Sequence, residues 1–453
     1  LAWGRPLPSR ISIALLAGAA LATVLALILG ASRDDVDDAA LGFAALALAV
    51  LTADYLLTQR AWNSAPVQLI RRLPPSFALG VAAEISVRLD NPANRRWQCR
   101  VFDHADSLLR VEGLPVDLGL PAAHHGEFQY RVRPERRGEL RFEPAELRLR
   151  SLLGLLEIDH RIGELERRRV YPNFLTLARL AWLSASSRLN EIGIKAIRQR
   201  GTGTDFKQLN EYQSGDPIRH IDWKASRRLD QPVVRQFQDE RDQRVMLLLD
   251  CGRRMRADDR EARQSLTHFD EMLNAVLLLA YVALKHGDSV GVMTFGHAEG
   301  EGRSLAPAKG LGTIEALMSE LYALQPSFQH SDYLTAARAF MRGRPRRSLV
   351  VLVTNFRDED DSELRDALRL LRSRHLVMVA SLREEIVREI IEQPLRDDDA
   401  VIDVASAHFY EQNRRAAFGR LAARDALMVD AEPRRLGAEL VNRYNSVKQA
   451  GLL

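Results

Sequence analysis

The sequence predicts a multidomain chain: an N-terminal transmembrane helical hairpin, an immunoglobulin-like β-sandwich, and a C-terminal α/β domain of the doubly wound kind. Three observations predict it. Two apolar runs of membrane-spanning length stand within the first 60 residues. Between about residues 66 and 172, helical periodicity gives way to short alternating stretches. From about residue 244 onward, short continuous apolar runs alternate with helical patterns.

The hairpin comes first, over residues 1–60. Its helices are expected at about 11–30 and 39–57, since a bilayer core takes about 20 apolar residues as a helix. The acidic turn Asp34-Asp35-Val36-Asp37-Asp38 separates them. A cleaved signal peptide is the alternative for the first run, but the second run follows too closely to suit it. Asp54 interrupts the second run and is expected at headgroup depth, because Arg60 follows within two turns. Arg5 and Arg10 precede the pair, Arg60, Arg71 and Arg72 follow it, and the turn holds only Arg33. The positive-inside rule then places both ends and the folded domains in the cytoplasm.

The sandwich is expected over residues 66–172. Residues 83–89, 127–132 and 139–142 alternate as half-buried strands do, with turn signals at Asp90-Asn91-Pro92 and Arg137-Gly138. A linker helix and a signature loop fill residues 173–243. The α/β domain, residues 244–453, has strand candidates at 245–249, 290–295, 349–354, 376–380 and 427–429. Each is an unbroken apolar run, as a strand covered on both faces should be. Helical patterns lie at 260–286, 313–324, 333–342, 361–374, 405–424 and 432–448. In such folds ligands bind beyond the carboxyl ends of the strands, which directs attention to Asp250, Ser331-Asp332 and Asn355.

Composition narrows the function. The 453 residues hold 64 basic and 60 acidic side chains, and 46% are hydrophobic. The first 60 residues carry four arginines and five aspartates, so the remainder is only about +5. Such near-balance argues against a nucleic-acid binder, which shows an uncompensated basic face. Cys99 and Cys251 lie far apart and read as buried thiols in a reducing compartment. GxSxG, HExxH, paired cysteine ligands and a Walker loop are all missing, so no enzyme is expected.

The most distinctive stretch runs Gly201-Thr202-Gly203-Thr204-Asp205-Phe206-Lys207 and then from Glu211 to Arg228. Charges of both signs sit there beside Tyr212 and Trp223. One reading is a salt-bridged structural loop with an aromatic plug, and a second is a binding surface. The third is a hydrolase in which Asp216 or Asp222 orients His220 as a general base, or one assisted by a metal at Asp250. Gly203-Thr204-Asp205-Phe206, Tyr212 to Lys224 and the strand into Asp250 resemble the signature of the domain-of-unknown-function 58 family. So do Arg136-Arg137-Gly138, Leu153-Gly154-Leu155 and Val170-Tyr171-Pro172. The signature residues are Asp205, Tyr212, Gly215, Asp216, Arg219, Asp222, Trp223 and Lys224.

That resemblance implies a von Willebrand factor A-like C-terminal domain on a membrane anchor. It also implies a MoxR-type AAA+ ATPase as partner, acting on other envelope proteins. A-like domains typically hold a divalent ion, Mg²⁺ for example, through a DxSxS loop, a threonine and an aspartate. Here the loop reads Asp250-Cys251-Gly252-Arg253-Arg254. Gly252 offers no side-chain oxygen, and Arg254 puts a permanent cation at a ligand position, where it could pair with Asp250. The threonine position falls on Ser331 and the last aspartate position on Asn355, which is uncharged. Asp250 and Ser331, with Asp332 or Asp358, would form any remaining ion site. No cofactor is expected, and the degraded loop favours ion-independent binding of a protein partner.

Overall fold

The computed structural model describes residues 4–173, 206–212, 221–237, 243–257, 266–422 and 427–452. They fall into two compact units, Leu1–Tyr171 and Pro172–Leu453, and each is taken by itself.

The first unit opens with β1 (Arg5–Pro8), followed by α1 (Arg10–Ile28) and α2 (Arg33–Ser64). Both helices are long and apolar enough to cross a membrane, and their apolar stretches are almost wholly exposed. Ser9 Oγ caps α1 by accepting from Ser12 N at 3.3 Å. Ser32 Oγ caps α2 by accepting from Asp35 N at 3.2 Å. Asp34 and Asp35 in that first turn favour the positive end of the helix. For this reason α2 starts at Arg33 rather than at 39. It also continues to Ser64 rather than stopping at 57, because its last turns pack on the β-rich part of the unit.

Eleven further strands make up that part. They are β2 (Gln68–Arg72), β3 (Phe77–Ala78), β4 (Ala83–Asp90), β5 (Trp97–Phe102), β6 (Leu109–Glu112), β7 (Val116–Leu120), β8 (His125–Pro134), β9 (Gly138–Phe142), β10 (Ala145–Arg150), β11 (Leu156–Ile162) and β12 (Glu166–Tyr171). Three sheets result, ordered β1-β11-β10-β5-β7, β2-β4-β8-β6 and β3-β12-β9. Alternation drives their packing: Ile85, Val87 and Leu89 of β4 and Trp97, Cys99 and Val101 of β5 are buried while their neighbours are not. Burial pushes the Cys99 thiol up to about 12, so it behaves as an apolar side chain. Between the sheets, Arg71 donates to both oxygens of Asp103, with Nε 3.0 Å from each, and Tyr130 Oη donates to the same carboxylate at 2.7 Å.

The residues before the first helix are themselves a strand of this fold. β1 pairs antiparallel with β11, from Arg5 opposite Asp159 to Pro8 opposite Leu156. Against the same edge lies the C-terminal part of α2. Asp54 is fully buried and accepts from Ser151 Oγ at 2.6 Å and Leu153 N at 3.0 Å. Thr58 Oγ1 accepts from Leu152 N at 3.1 Å. Tyr55 Oη donates to Gly4 O at 3.0 Å, and Trp62 stacks on His160 at 4.1 Å between ring centres. Burial lowers the His160 pKa to about 4, which keeps that ring neutral for stacking.

In the second unit, β13 (Phe206–Glu211) and β14 (Val233–Phe237) pair antiparallel around α3 (Trp223–Leu229). The large sheet follows: β15 (Arg244–Asp250), β16 (Ser289–Phe295), β17 (Ser304–Ala308), β18 (Leu349–Thr354), β19 (Leu376–Leu382) and β20 (Leu427–Ala431). Its order is β17-β16-β15-β18-β19-β20, parallel except for β17. The antiparallel β17 is absent from the sequence reading because it is an exposed edge containing Pro307, with no apolar run to mark it.

The helices are α4 (His268–Lys285), α5 (Gly312–Leu321), α6 (Tyr333–Arg342), α7 (Asp361–Arg372), α8 (Glu385–Glu392), α9 (Asp398–Ala422) and α10 (Pro433–Gln449). Val245, Leu247 and Leu249 face α4, α5 and α10, while Met246 and Leu248 face α6, α7 and α9. Covering both faces in this way is what allows the strands to be continuously apolar. Two differences from the sequence reading concern α8, which was not foreseen, and α9, which begins at Asp398 rather than 405. Acidic residues at the start of α9 interrupt the apolar pattern but suit a helix N-terminus.

Replacing Asp54 with alanine removes the acceptor of three groups, the Ser151 and Thr58 hydroxyls and the Leu153 amide. Each buried donor left unmet costs roughly 1–3 kcal/mol. Denaturant titration of the full chain in detergent should show the first unit destabilised accordingly. Asp54→Asn, which keeps one acceptor oxygen, should fall between. A variant as stable as the parent would mean these bonds are not formed.

Candidate functional site

The carboxyl ends of β15, β16 and β18 meet at one buried polar cluster. Asp250 ends β15 and is completely buried. Its Oδ1 accepts from Gly252 N at 2.8 Å and from Ser331 Oγ, and its Oδ2 accepts from Thr354 Oγ1 at 2.6 Å. Tyr333 Oη lies 2.9 Å from Thr354 Oγ1. A hydroxyl has one proton, and that of Thr354 goes to Asp250. Tyr333 therefore donates to Thr354, giving a relay of Tyr333 to Thr354 to Asp250. Burial, and then the negative Asp250, push the Tyr333 phenol well above its usual range.

Backbone contacts hold the loops around this cluster. Cys251 N donates to Phe295 O at 2.8 Å, Arg253 N to Gln329 O at 2.8 Å, and Ser327 N to Cys251 O at 2.6 Å. Two glycines allow the close approach. A Cβ on Gly252 would lie 2.0 Å from Ser331 Oγ and 2.9 Å from Gln329 O. Gly296, at φ +76°, would place a Cβ 2.8 Å from Gly252 N. The Ser331 hydroxyl thus occupies the space that a side chain at 252 would need.

Arg254 does not pair with Asp250. Its Nη2 reaches Glu359 Oε2 at 2.8 Å and Asp360 Oδ1 at 2.9 Å. The chain turns into a short 3₁₀ helix at 253–256, which aims the guanidinium away from the strand end and toward residues 358–360. Asn355 also turns away: its Nδ2 donates to Glu384 Oε1 at 3.0 Å and Arg254 O at 3.3 Å, and its Oδ1 is buried without a partner. The residue that touches Asp250 from β18 is Thr354, one position earlier, which sequence reasoning passed over. Its signal was a hydroxyl closing an otherwise apolar strand. Asp332 accepts from Thr335 N and Thr335 Oγ1, both at 2.7 Å, as the N-cap of α6.

This donor set does not fit a resident Mg²⁺. A hard dication in octahedral array wants several carboxylate or free oxygen ligands. One carboxylate is present, both its oxygens are taken up by protein donors, and the neighbouring Asp360 is paired to Arg254. No group of three or more His, Cys, Asp or Glu side chains converges among the described residues.

Of the signature, Asp205, Gly215, Asp216, Arg219 and His220 lie outside the described residues, so the Asp216–His220 pairing is not placed. Asp222 is the N-cap of α3, its Oδ1 accepting from Lys224 N at 3.1 Å and Ala225 N at 3.0 Å. Tyr212 N donates to Pro232 O at 2.8 Å and Asp222 N to Val233 O at 3.0 Å, tying the signature across the hairpin. Lys224 is exposed, and Trp223 is 69% exposed. Trp223 therefore faces outward among the described residues.

Two outcomes follow for the Asp250 cluster. Burial raises the Asp250 pKa above its ordinary 3.8, against the opposing pull of its three hydrogen bonds. The folded state thus keeps a proton that the unfolded chain loses. That stabilisation is complete below the ordinary value and is lost as pH rises through the raised one. Asp250→Asn should flatten the fall of the thermal midpoint as pH rises above the ordinary carboxylate value of about 4. A parent and variant with parallel profiles would contradict this. Second, Gly252→Ser with Arg254→Ser rebuilds the DxSxS wording but should bind no Mg²⁺ by calorimetry. It should also be destabilised by about 3–5 kcal/mol, since Asp360 loses its buried partner. Micromolar Mg²⁺ binding would show that the oxygen cage can reopen.

Residues 208–426 match the family described as "Protein of unknown function DUF58". "Uncharacterized protein YeaD" of Bacillus subtilis (strain 168) is 26% identical over 163 residues, covering 35% of this chain and 37% of that protein. The match therefore spans well under half the length of that relative. Among solved structures, the pilus adhesin SpaC from Lactobacillus rhamnosus GG matches at 11% identity and TM-score 0.32, over 47% of this chain and 31% of its own. Salmonella alpha-2-macroglobulin reacted with methylamine matches at 19% identity and TM-score 0.20, over 23% of this chain and 7% of its own. A CARDB domain from Pyrococcus furiosus matches at 12% identity and TM-score 0.17, over 23% of this chain and 94% of its own. The segment matched to that family holds both the β13–β14 hairpin and the Asp250 cluster, and over residues 208–426 the chain matches the DUF58 family.

Proposed function

We propose that this chain is a membrane-anchored interaction protein whose C-terminal domain is von Willebrand factor A-like and binds its partner without a bridging ion. In this reading residues 1–60 anchor, 66–172 form the sandwich, 173–243 connect, and 244–453 recognise. The partner is a MoxR-type AAA+ ATPase, and the pair acts in assembly or maturation of envelope proteins. The anchor sits in a bacterial inner membrane with both chain ends and the folded domains on the cytoplasmic side.

One observation carries the reading: Asp250 stands at the carboxyl end of a central parallel strand, where a ligand site belongs, yet both of its oxygens already accept from Gly252, Ser331 and Thr354. A site in that place that is saturated by its own protein suits docking of a surface rather than chemistry on a small molecule. Nearby apolar and cationic groups are available for such docking. Phe328 is 78% exposed with the Arg256 guanidinium 3.6 Å above its ring. The two exposed apolar helices support the membrane placement.

The test is a pull-down of the detergent-solubilised full chain with a MoxR-type ATPase from the same genome, with and without nucleotide and chelator. Capture should survive the chelator. It should be lost in Phe328→Ala, which changes only the exposed surface, and weakened in Asp250→Ala. Failure to retain any AAA+ protein under every nucleotide condition would refute the proposal.

A further inference from the structure

Resting on the membrane reading above, we propose that the turn at residues 151–155 of the β-rich unit is a third membrane contact. Leu152 and Leu153 are seated in lipid beside the two helices. The proposal comes from where this turn is docked. Ser12 Oγ donates to Leu155 O, and Ser9 N donates to Leu155 O at 2.9 Å. Ser151 Oγ and Leu153 N donate to Asp54, and Leu152 N donates to Thr58. The turn is therefore held at the height of Ser12 on one helix and Asp54 on the other.

Length places both of those residues inside the apolar core. A core about 30 Å thick takes about 20 helical residues. Twenty residues counted from Ala39, the first after the acidic turn, reach Thr58. Twenty counted back from Gly30 reach Ile11. Exposure agrees with this count. Leu56 and Leu57, beyond Asp54, are 48% and 54% exposed, and Ile11 and Ile13, flanking Ser12, are 42% and 54% exposed. A turn fixed between these positions shares their surroundings.

The turn has the build of an interfacial element. Leu152 and Leu153 are 43% and 59% exposed, although the rest of the turn is buried or half-buried. Gly154, at φ +73°, lets the chain reverse while the Arg150 side chain lies across it, 2.9 Å from where a Cβ would stand. Arg10, Arg60 and Arg150 are exposed around the base, placed for anionic headgroups. The arrangement also answers why an aspartate is tolerated in an apolar span. The turn solvates Asp54 with its own donors and presents leucines outward in its place.

The test uses the full chain in nanodiscs of phosphatidylethanolamine and phosphatidylglycerol, with a nitroxide on Leu153→Cys. The two native cysteines are buried, and the parent carried through labelling sets the background. Leu46→Cys, in the middle of α2, is the lipid reference. Leu165→Cys, past the far end of the seven-residue β11, lies on the order of 20 Å away along the strand and is the water reference. The label at 153 should be relaxed by oxygen in preference to a nickel chelate, as at 46, with the preference inverted at 165. Preference for nickel at 153 while 46 reads lipid overturns the proposal and leaves the anchor standing. Protection from both agents at 153 means that protein covers the turn and also overturns it. Nickel access at 46 refutes the membrane reading itself.

Discussion

A carboxylate taken out of water must be solvated by donors that the protein supplies, and four aspartates organise this chain under that constraint. Asp54 is met by Ser151 and Leu153, Asp103 by Arg71 and Tyr130, Asp250 by Gly252, Ser331 and Thr354, and Asp288 by Lys448 at 2.8 Å and by Tyr444. Each aspartate ties together segments distant in sequence. Asp54 joins a membrane-length helix to the β-rich fold, Asp103 joins strands of different sheets, Asp250 gathers three loops, and Asp288 fastens the last helix to a loop before β16.

The four differ in what balances the charge. Asp103 and Asp288 face a cation at contact distance, so both belong to ion pairs whose worth depends on well-fitted geometry. Asp54 and Asp250 have only neutral partners. For Asp250, burial raises the pKa against the opposing pull of those neutral donors. Gly252 and Arg254 play complementary parts in that arrangement. The absence of a side chain at 252 leaves room for the Ser331 hydroxyl, and the cation at 254 is turned to residues 359 and 360.

The two apolar helices show the same logic at larger scale. Pairing of β1 with β11 and the docking of Asp54, Thr58 and Trp62 attach both helices to the β-rich unit through backbone and side-chain bonds. Neither helix is on a free tether, so a force or tilt felt by the helices is passed to the sheets. In the membrane reading proposed above, that attachment would fix where the β-rich unit stands at the bilayer.

Much of the fold was legible in the sequence because its signals are local. Apolar runs of 20 residues announce helices in lipid, and alternation announces half-buried strands. Unbroken runs such as residues 349–354 announce strands covered on both faces, since each residue's neighbours in sequence reveal how many sides are buried. Asp250 too could be found, as the polar residue closing such a run. What tertiary structure alone decided is which groups meet. Thr354 rather than Asn355 reaches Asp250, Arg254 turns to Asp360 rather than Asp250, and Trp223 faces outward. The strand at residues 5–8 belongs to a sheet whose other strands lie more than 80 residues away. Hydrogen-bond partners are chosen by rotamer and by the close approach of separate loops, and neither is written in the order of the residues.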